Sequence, residues 1–148
     1  LSVTHQTGVH DLDATHARYA ESNLDSESWN VTAYIDDMAQ AYGDADLAIT
    51  RAGALTIAEL MAVGMPSLLV PFPYAADNHQ EANAQSLVDQ GACHMIRQSE
   101  WKEGEIVDWL AVLSEDRQKL VEMSRAARGE ARLDAAPTIV DHLEELAA

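Results

Sequence analysis

The sequence has little cysteine, few basic residues and no long apolar run, and each shortage excludes a class of protein. With Cys93 as its one cysteine, the chain of 148 residues cannot form an internal disulfide. Its 9 basic residues stand against 25 acidic ones, and the net charge of −16 would repel nucleic acid. No apolar run approaches the roughly 20 residues of a membrane-spanning helix, and no basic-then-apolar signal segment opens the chain.

What the chain does contain is a hydrophobic fraction of 47%, which is sufficient for the core of one compact domain. Cys93 lies in the apolar run Ala92–Ile96, so we expect it to be a small buried residue rather than a nucleophile. The sequence begins at Leu1 as though inside a strand. We therefore interpret residues 1–148 as a single domain of a longer protein.

Short apolar runs alternate with segments of helical periodicity, and the last third of the chain is helical throughout. This order predicts an α/β fold, a doubly wound parallel sheet with helices on both faces and a helical carboxy-terminal segment. The turns after Ile35, Thr50 and Val70 should share the sheet edge where such folds bind ligands. The predicted strands are Leu1–Thr4, Trp29–Ile35, Leu47–Thr50, Ser67–Val70 and Ala92–Ile96. The predicted helices are Asp11–Ser22, Asp36–Tyr42, Leu55–Val63, Gln80–Gln90, Gly104–Leu113, Asp116–Ala127 and Pro137–Leu146.

The most informative stretch is Asp46–Leu60, where a strand, a glycine-containing turn and a helix follow one another. Gly53 is expected to supply the conformational freedom of the turn, which places a helix N-terminus at the carboxyl end of the sheet. Unpaired backbone N–H groups there attract a phosphate, and Arg51 adds positive charge. Glu59, about one turn into the helix, can accept hydrogen bonds from two ribose hydroxyls. These groups together predict a nucleotide site.

An alternative for the same stretch needs no ligand. Thr56 and Glu59 also fit the capping box, in which the threonine caps the helix and the glutamate reaches back to the first N–H group. The spacing alone leaves both interpretations open.

The connection Pro71–Gln80 is longer and more polar than a minimal loop, which favours a binding role. His79, Gln80 and Asn83 carry the neutral donors and acceptors that sugar hydroxyls require. The alternative is that Asp77 only caps the following helix and Gln80 is solvated.

Several segments, in this order, resemble the carboxy-terminal half of the MurG family of N-acetylglucosaminyltransferases of peptidoglycan synthesis. The resemblance covers nearly the whole chain and is least distinctive at the carboxy-terminal end. The segments that carry it are His5–Gly8, Tyr34–Met38, Ala45-Asp46, Arg51–Glu59, Gly64–Pro66, Val70-Pro71 and Asp77–Ala84.

The resemblance implies a GT-B glycosyltransferase, in which two Rossmann-like domains face each other across a cleft. The carboxy-terminal domain would bind UDP-GlcNAc, and the missing amino-terminal domain would bind the lipid-linked MurNAc-pentapeptide acceptor. GlcNAc would pass with inversion to undecaprenyl-pyrophosphoryl-MurNAc-pentapeptide, converting lipid I to lipid II. The family works at the cytoplasmic face of the bacterial inner membrane as a peripheral protein, and we expect the membrane contact to come from the other half.

The resemblance also implies roles for single residues. The backbone of Ile35 would read the uracil edge, the helix start would bind the diphosphate, and Glu59 would hold the ribose hydroxyls. Gln80, aided by His79, would hold the GlcNAc hydroxyls. The full set of donor-binding candidates is Ile35, Arg51, Ala54, Leu55, Thr56, Ile57, Ala58, Glu59, His79, Gln80 and Asn83.

We expect no catalytic residue in this chain, because the family's general base is thought to come from the amino-terminal domain. The helix N-terminus would stabilise charge on the leaving UDP, so we expect no metal and no cofactor. Ala52 stands where the family often has Ser, and the Gly-Gly-Ser turn that precedes this region is absent. The chain alone should therefore bind the donor weakly and transfer nothing.

Two other classes of function remain open at this stage. The first is a stand-alone nucleotide-sugar binding module or one subunit of a split two-chain transferase. The second is an α/β domain without a ligand, in which Thr56 and Glu59 only cap a helix.

Overall fold

The computed structural model describes residues 1–147, which form two compact units, Leu1–Gly43 and a second unit that begins at Asp44. Strands and helices alternate as predicted, and the predicted α/β class is confirmed. The strands are β1 Val3–Gln6, β2 Trp29–Thr32, β3 Ala48–Thr50, β4 Ser67–Leu69 and β5 Cys93–Met95. The α-helices are α1 Leu12–Glu21, α2 Met38–Asp44, α3 Ala54–Val63, α4 His79–Asp89, α5 Glu103–Glu115, α6 Arg117–Gly129 and α7 Ala135–Ala147.

All the strand pairs are parallel, as predicted, but the strands are divided between two sheets. The first unit contains β1 and β2, and the second contains three strands in the order β3-β4-β5. Apolar patterning identifies a strand but carries no information about which strand it will hydrogen-bond to. The sequence therefore predicts that the strands pair in parallel, but it does not predict that they form two separate sheets.

In the first unit, β1 begins and ends two residues later than predicted. His5 and Gln6, expected in the exit loop, pair with Val31 and Thr32 of β2. The register against β2 decides which residues are in the strand, and alternation within one segment cannot reveal that register. None of residues 1–43 is fully buried, so this unit has no core of its own.

In the second unit, the central strand β4 holds the sheet together. Ser67, Leu68 and Leu69 are all buried, with the two leucines fully excluded from water. Such a strand must be apolar on both sides because it is covered on both faces, which is why Ser67–Val70 reads as a continuous apolar run. Each leucine contributes about 1.5–3 kcal/mol by its burial.

Some helix boundaries differ from the prediction for local reasons. Asp11 occupies the N-cap position of α1 as expected, but its side chain makes no capping hydrogen bond. The helix predicted from Asp36 begins at Met38, because the carboxylate of Asp37 accepts the N–H of Gln40 at 2.9 Å and caps the first turn.

Helix α3 ends at Gly64, which has a left-handed backbone with φ of 69°. A Cβ at this position would lie 3.1 Å from the backbone oxygen of Ser124 and 3.3 Å from the Cβ of Arg128, both on α6. Position 64 therefore favours glycine for two reasons, the left-handed backbone conformation and the close approach of α6.

Gly64→Ala should lower the free energy of unfolding more than Gly91→Ala does. Gly91 is also left-handed, with φ of 72°, but a Cβ there meets nothing within 4 Å. We expect about 1–2 kcal/mol for Gly91→Ala from the backbone alone, and about 1–3 kcal/mol more for Gly64→Ala from overpacking. Urea unfolding followed by circular dichroism measures both. Equal losses would contradict the close packing of α3 on α6.

Candidate functional site

The start of α3 lies at the carboxyl edge of the three-stranded sheet. Thr50, the last residue of β3, pairs with Leu69, the last residue of β4, and its carbonyl accepts the N–H of Val70 at 2.8 Å. The turns after the two strands therefore leave the sheet side by side, as the sequence predicts for Thr50 and Val70.

The turn between β3 and α3 does not use the freedom of its glycine. Gly53 is the N-cap of α3 with φ of −67° and ψ of 144°, a conformation open to any residue. The prediction that Gly53 supplies an unusual backbone is therefore wrong. A Cβ on Gly53 would lie 3.8 Å from the hydroxyl of Thr56, so glycine leaves the end of the helix uncovered.

Three backbone N–H groups at the start of α3 have no partner within the helix. The first helical hydrogen bond runs from the N–H of Ile57 to the carbonyl of Gly53 at 2.9 Å. The N–H groups of Ala54, Leu55 and Thr56 precede it and project beyond the helix end. They are the three groups that the family resemblance assigns to the diphosphate, reached here from helix geometry alone.

The capping-box interpretation of Thr56 and Glu59 is wrong. That interpretation requires Thr56 at the N-cap, but α3 begins at Ala54 and its N-cap is Gly53. Thr56 is the third residue inside the helix and cannot cap it with its side chain in the manner of the motif. The sequence did not decide the start of the helix because Gly53 and Thr56 are both acceptable N-cap residues.

Glu59 lies on the exposed side of α3. Ile57 and Leu60 face the core with 7% and 1% of their surface exposed, whereas Glu59 is exposed. Leu55 precedes Glu59 by four residues and is 82% exposed, so the two side chains share a face of the helix. Glu59 thus lies on the exposed face of α3, one turn beyond the N–H groups at its start.

Two of the predicted candidates offer less than expected. The N–H of Ile57 is used in the first helical bond and its side chain is in the core, so it has no open donor for a ligand. Ala58 is one residue further into the helix, where its N–H belongs to the helical ladder. The sequence motif includes both residues because it continues from the start of the helix into its interior.

Arg51 is held by the β4–α4 loop, which we define as Val70–Asn78. Its Nη1 donates to the backbone oxygens of Val70 and Pro71, each at 3.2 Å, and its Nη2 donates to Oε1 of Gln98 at 2.9 Å. The guanidinium carbon lies 5.6 Å from the centre of the Phe72 ring. Sequence reasoning missed Gln98 and Phe72, because no local signal links positions so far apart.

Gln80 is attached to the same loop. Its Oε1 accepts the backbone N–H of Phe72 at 2.9 Å, so it is not simply solvated. Asp77 and Asn78, just before α4, have left-handed backbones with φ of 50° and 52°, a conformation that these two residue types tolerate. Asn78 is the N-cap of α4 without a side-chain capping bond, so the alternative in which Asp77 caps this helix is wrong.

His79 and Asn83 complete the predicted sugar-binding group. His79 begins α4 and is exposed, and Asn83 follows one turn later and is partly exposed. Residues four apart lie on the same face of a helix, so both are presented at one end of α4.

Ile35 belongs to the first unit. Its backbone N–H donates to Oε1 of Gln6 at 2.8 Å, a contact that the sequence did not reveal. A base that reads the N–H of Ile35 must therefore displace Gln6.

Cys93 is buried with 8% of its surface exposed, as predicted, and burial raises the pKa of its thiol to about 12. The thiol is therefore protonated at neutral pH, which excludes a nucleophilic role. Within residues 1–147, His, Cys, Asp and Glu side chains form no group of three or more that could hold a metal ion. In the same part of the chain, none of the helices has the length and apolar character needed to cross a membrane.

Comparisons with known proteins identify the family of this chain. The profile of the glycosyltransferase family 28 C-terminal domain matches residues 1–139, and the chain belongs to this family. It is 45% identical over 146 residues to the UDP-N-acetylglucosamine--N-acetylmuramyl-(pentapeptide) pyrophosphoryl-undecaprenol N-acetylglucosamine transferase of Aromatoleum aromaticum, covering 99% of this chain and 40% of that protein. Identity to the transferase of the same name from Chromohalobacter salexigens is 48% over 138 residues, covering 93% and 37%.

A solved structure gives the same result for the fold. The crystal structure of Acinetobacter baumannii MurG superimposes with a TM-score of 0.86 at 40% identity, over 98% of this chain and 43% of that one. The family resemblance seen in the sequence is confirmed. The chain spans about two fifths of the length of the curated relatives it matches.

The first turn of α4 is tied to the end of β5 by an ion pair. Arg97 donates to the carboxylate of Glu81 through Nη2 and, at 2.9 Å, through Nε, and its Nη1 lies 3.4 Å from Glu100. The hydrogen bond from Arg97 lowers the pKa of Glu81 below its ordinary value of 4.5. This pair holds the residue next to Gln80 in place.

The contribution of the Glu81–Arg97 pair to stability should disappear in acid. Because the pKa of Glu81 is lower in the folded state, the contribution is complete above pH 4.5 and is lost as pH falls through the folded pKa. Glu81→Gln should lower the melting temperature at about pH 6, and the difference should shrink progressively as the pH falls below the ordinary pKa of 4.5. Glu122→Gln, on the exposed side of α6, is the control. A melting-temperature difference that persists unchanged in acid would contradict the pairing.

Proposed function

We propose that this chain is the UDP-GlcNAc-binding part of an inverting transferase that passes GlcNAc to undecaprenyl-pyrophosphoryl-MurNAc-pentapeptide. The observation that carries the proposal is the start of α3, where the N–H groups of Ala54, Leu55 and Thr56 precede the first helical hydrogen bond and the exposed Glu59 follows on the next turn. It is supported by the family and by the names of the relatives, which specify this donor and acceptor.

The diphosphate of the donor binds the N–H groups at the start of α3. Each of these groups must otherwise rely on water, and the helix dipole adds positive potential at the same point. The net charge of −16 does not prevent this, because salt screens distant charges beyond about 8 Å and the N–H groups contact the phosphate directly.

The rest of the donor extends from the diphosphate in two directions. Glu59, on the exposed face of α3, accepts hydrogen bonds from the ribose hydroxyls. The GlcNAc hydroxyls meet His79, Gln80 and Asn83 at the start of α4.

In catalysis, this chain acts on the leaving group. As the bond to GlcNAc breaks, negative charge develops on the diphosphate, and the N–H groups of α3 stabilise it without reorganisation. The acceptor, the general base that deprotonates it and the contact with the cytoplasmic face of the bacterial inner membrane come from the remainder of a longer protein. In this proposal, neither metal nor cofactor takes part in binding the donor.

The chain should bind UDP-GlcNAc in preference to GDP-mannose, at about millimolar strength or better in a calorimetric titration. Within the same titration series, Glu59→Gln should reduce the preference for UDP over 2′-deoxy-UDP, because Gln replaces a charged acceptor of the ribose hydroxyls with a neutral one. We expect a loss of about tenfold for UDP and a smaller loss for the deoxy ligand, which keeps only the 3′ hydroxyl.

The control for this variant is Glu122→Gln, which removes the same charge from α6. An α/β domain without a ligand predicts no binding by the unaltered chain. If Glu59→Gln weakens UDP and its 2′-deoxy form equally, Glu59 does not contact the ribose.

Ala54→Pro tests the N–H groups directly. Proline is well tolerated at the first position of a helix, and Gly53 already has the extended backbone that a following proline requires. The variant deletes one N–H donor, so UDP affinity should fall by about tenfold while the melting temperature is maintained.

Ala54→Gly, which retains the N–H group, is the matched control for titration and thermal unfolding. If Ala54→Pro binds UDP as tightly as Ala54→Gly does, the diphosphate is not bound at this helix end.

A further inference from the structure

We propose that Arg51 is a positioning residue that fixes the β4–α4 loop and thereby orients Gln80, and that it does not bind the diphosphate itself. The ligand half of this inference rests on the proposed function. The loop half rests only on contacts within the second unit.

The guanidinium group of Arg51 makes several contacts at once. Arg51 donates to the carbonyls of Val70 and Pro71 and lies over the ring of Phe72, so it contacts three consecutive residues of the loop. Its other terminal nitrogen donates to Gln98, beyond the end of β5. Arg51 thus joins the ends of β3, β4 and β5 at the edge where the donor would bind.

Gln80 holds the same segment from the other side. Its Oε1 accepts the N–H of Phe72, so the backbone of three successive residues is bonded to side chains from outside the loop. With Oε1 used in this way, the NH₂ group is the end of the carboxamide that can act as a hydrogen-bond donor to a sugar oxygen.

The contacts of Arg51 suit arginine and no other residue. The planar guanidinium offers donors in fixed directions and can stack on an aromatic ring at the same time. A lysine ammonium is compact and cannot reach two carbonyls, Gln98 and the face of Phe72 together. The N–H groups of Arg51 that donate to the carbonyls of Val70 and Pro71 are also unavailable to a phosphate.

Hydrogen exchange of the chain without ligand tests the loop. In Arg51→Lys and Arg51→Ala, the amide of Phe72 should exchange at least about tenfold faster, because opening of the loop breaks its bond to Gln80. Exchange of Leu60, in the middle of α3, should be unchanged. Gln98→Ala, which leaves the guanidinium in place, should give a smaller increase at Phe72.

Titration of the same variants with UDP and UDP-GlcNAc tests the consequence for binding. We expect UDP affinity to change by less than about twofold, and the additional affinity due to GlcNAc to be lost in both Arg51 variants. Arg125→Ala, on the exposed side of α6, controls for the change in net charge.

Unchanged exchange at Phe72 in Arg51→Ala would overturn the proposal. Equal weakening of UDP and UDP-GlcNAc would also overturn it, since that is the result of a direct diphosphate contact. If the unaltered chain binds neither ligand, the proposed function fails for this chain, and the exchange result still decides the role of Arg51 in the loop.

Discussion

The second unit depends on the burial of β4 between β3 and β5. Ser67, Leu68 and Leu69 are excluded from water and hydrogen-bonded on both edges, so this strand cannot shift without exposing the core. Because β3 and β4 are parallel and in register at Thr50 and Leu69, their carboxyl ends leave the sheet together. The start of α3 and the β4–α4 loop are consequently brought to one edge, and every contact of the candidate site in this unit follows from that arrangement.

The two parts of the site solve different physical problems. The start of α3 has backbone donors that no part of the helix can satisfy, and in the proposed function these donors bind the diphosphate despite the acidic composition of the chain. The β4–α4 loop has the opposite problem, since its backbone must be held in one conformation away from regular structure. Arg51 and Gln80 satisfy it from both sides. A binding site for a nucleotide sugar needs both kinds of group. Hydrogen-bond donors must bind the charged diphosphate, and rigidly held polar side chains must bind the neutral sugar hydroxyls.

The first unit differs from the second because it has no fully buried residues. None of its 43 residues is fully buried, and a segment of this size rarely buries enough apolar surface to be stable alone. The chain also spans only about two fifths of the curated relatives. The family membership therefore identifies the chain as a glycosyltransferase family 28 C-terminal domain, which corresponds to only part of each of these relatives.

The sequence by itself determined the class of fold, the order of the elements and the family, because apolar periodicity and the glycines that end helices are local properties. It also placed the start of a helix directly after β3, where unpaired N–H groups follow from any helix N-terminus. Only the tertiary structure decided which strands pair, that Gly53 and not Thr56 caps α3, and that Ile57 is in the core. It alone joined Arg51 to Gln98 and Gln6 to Ile35. These contacts connect residues 47 and 29 positions apart, and no local pattern encodes a hydrogen bond that exists only after the strands have taken their register.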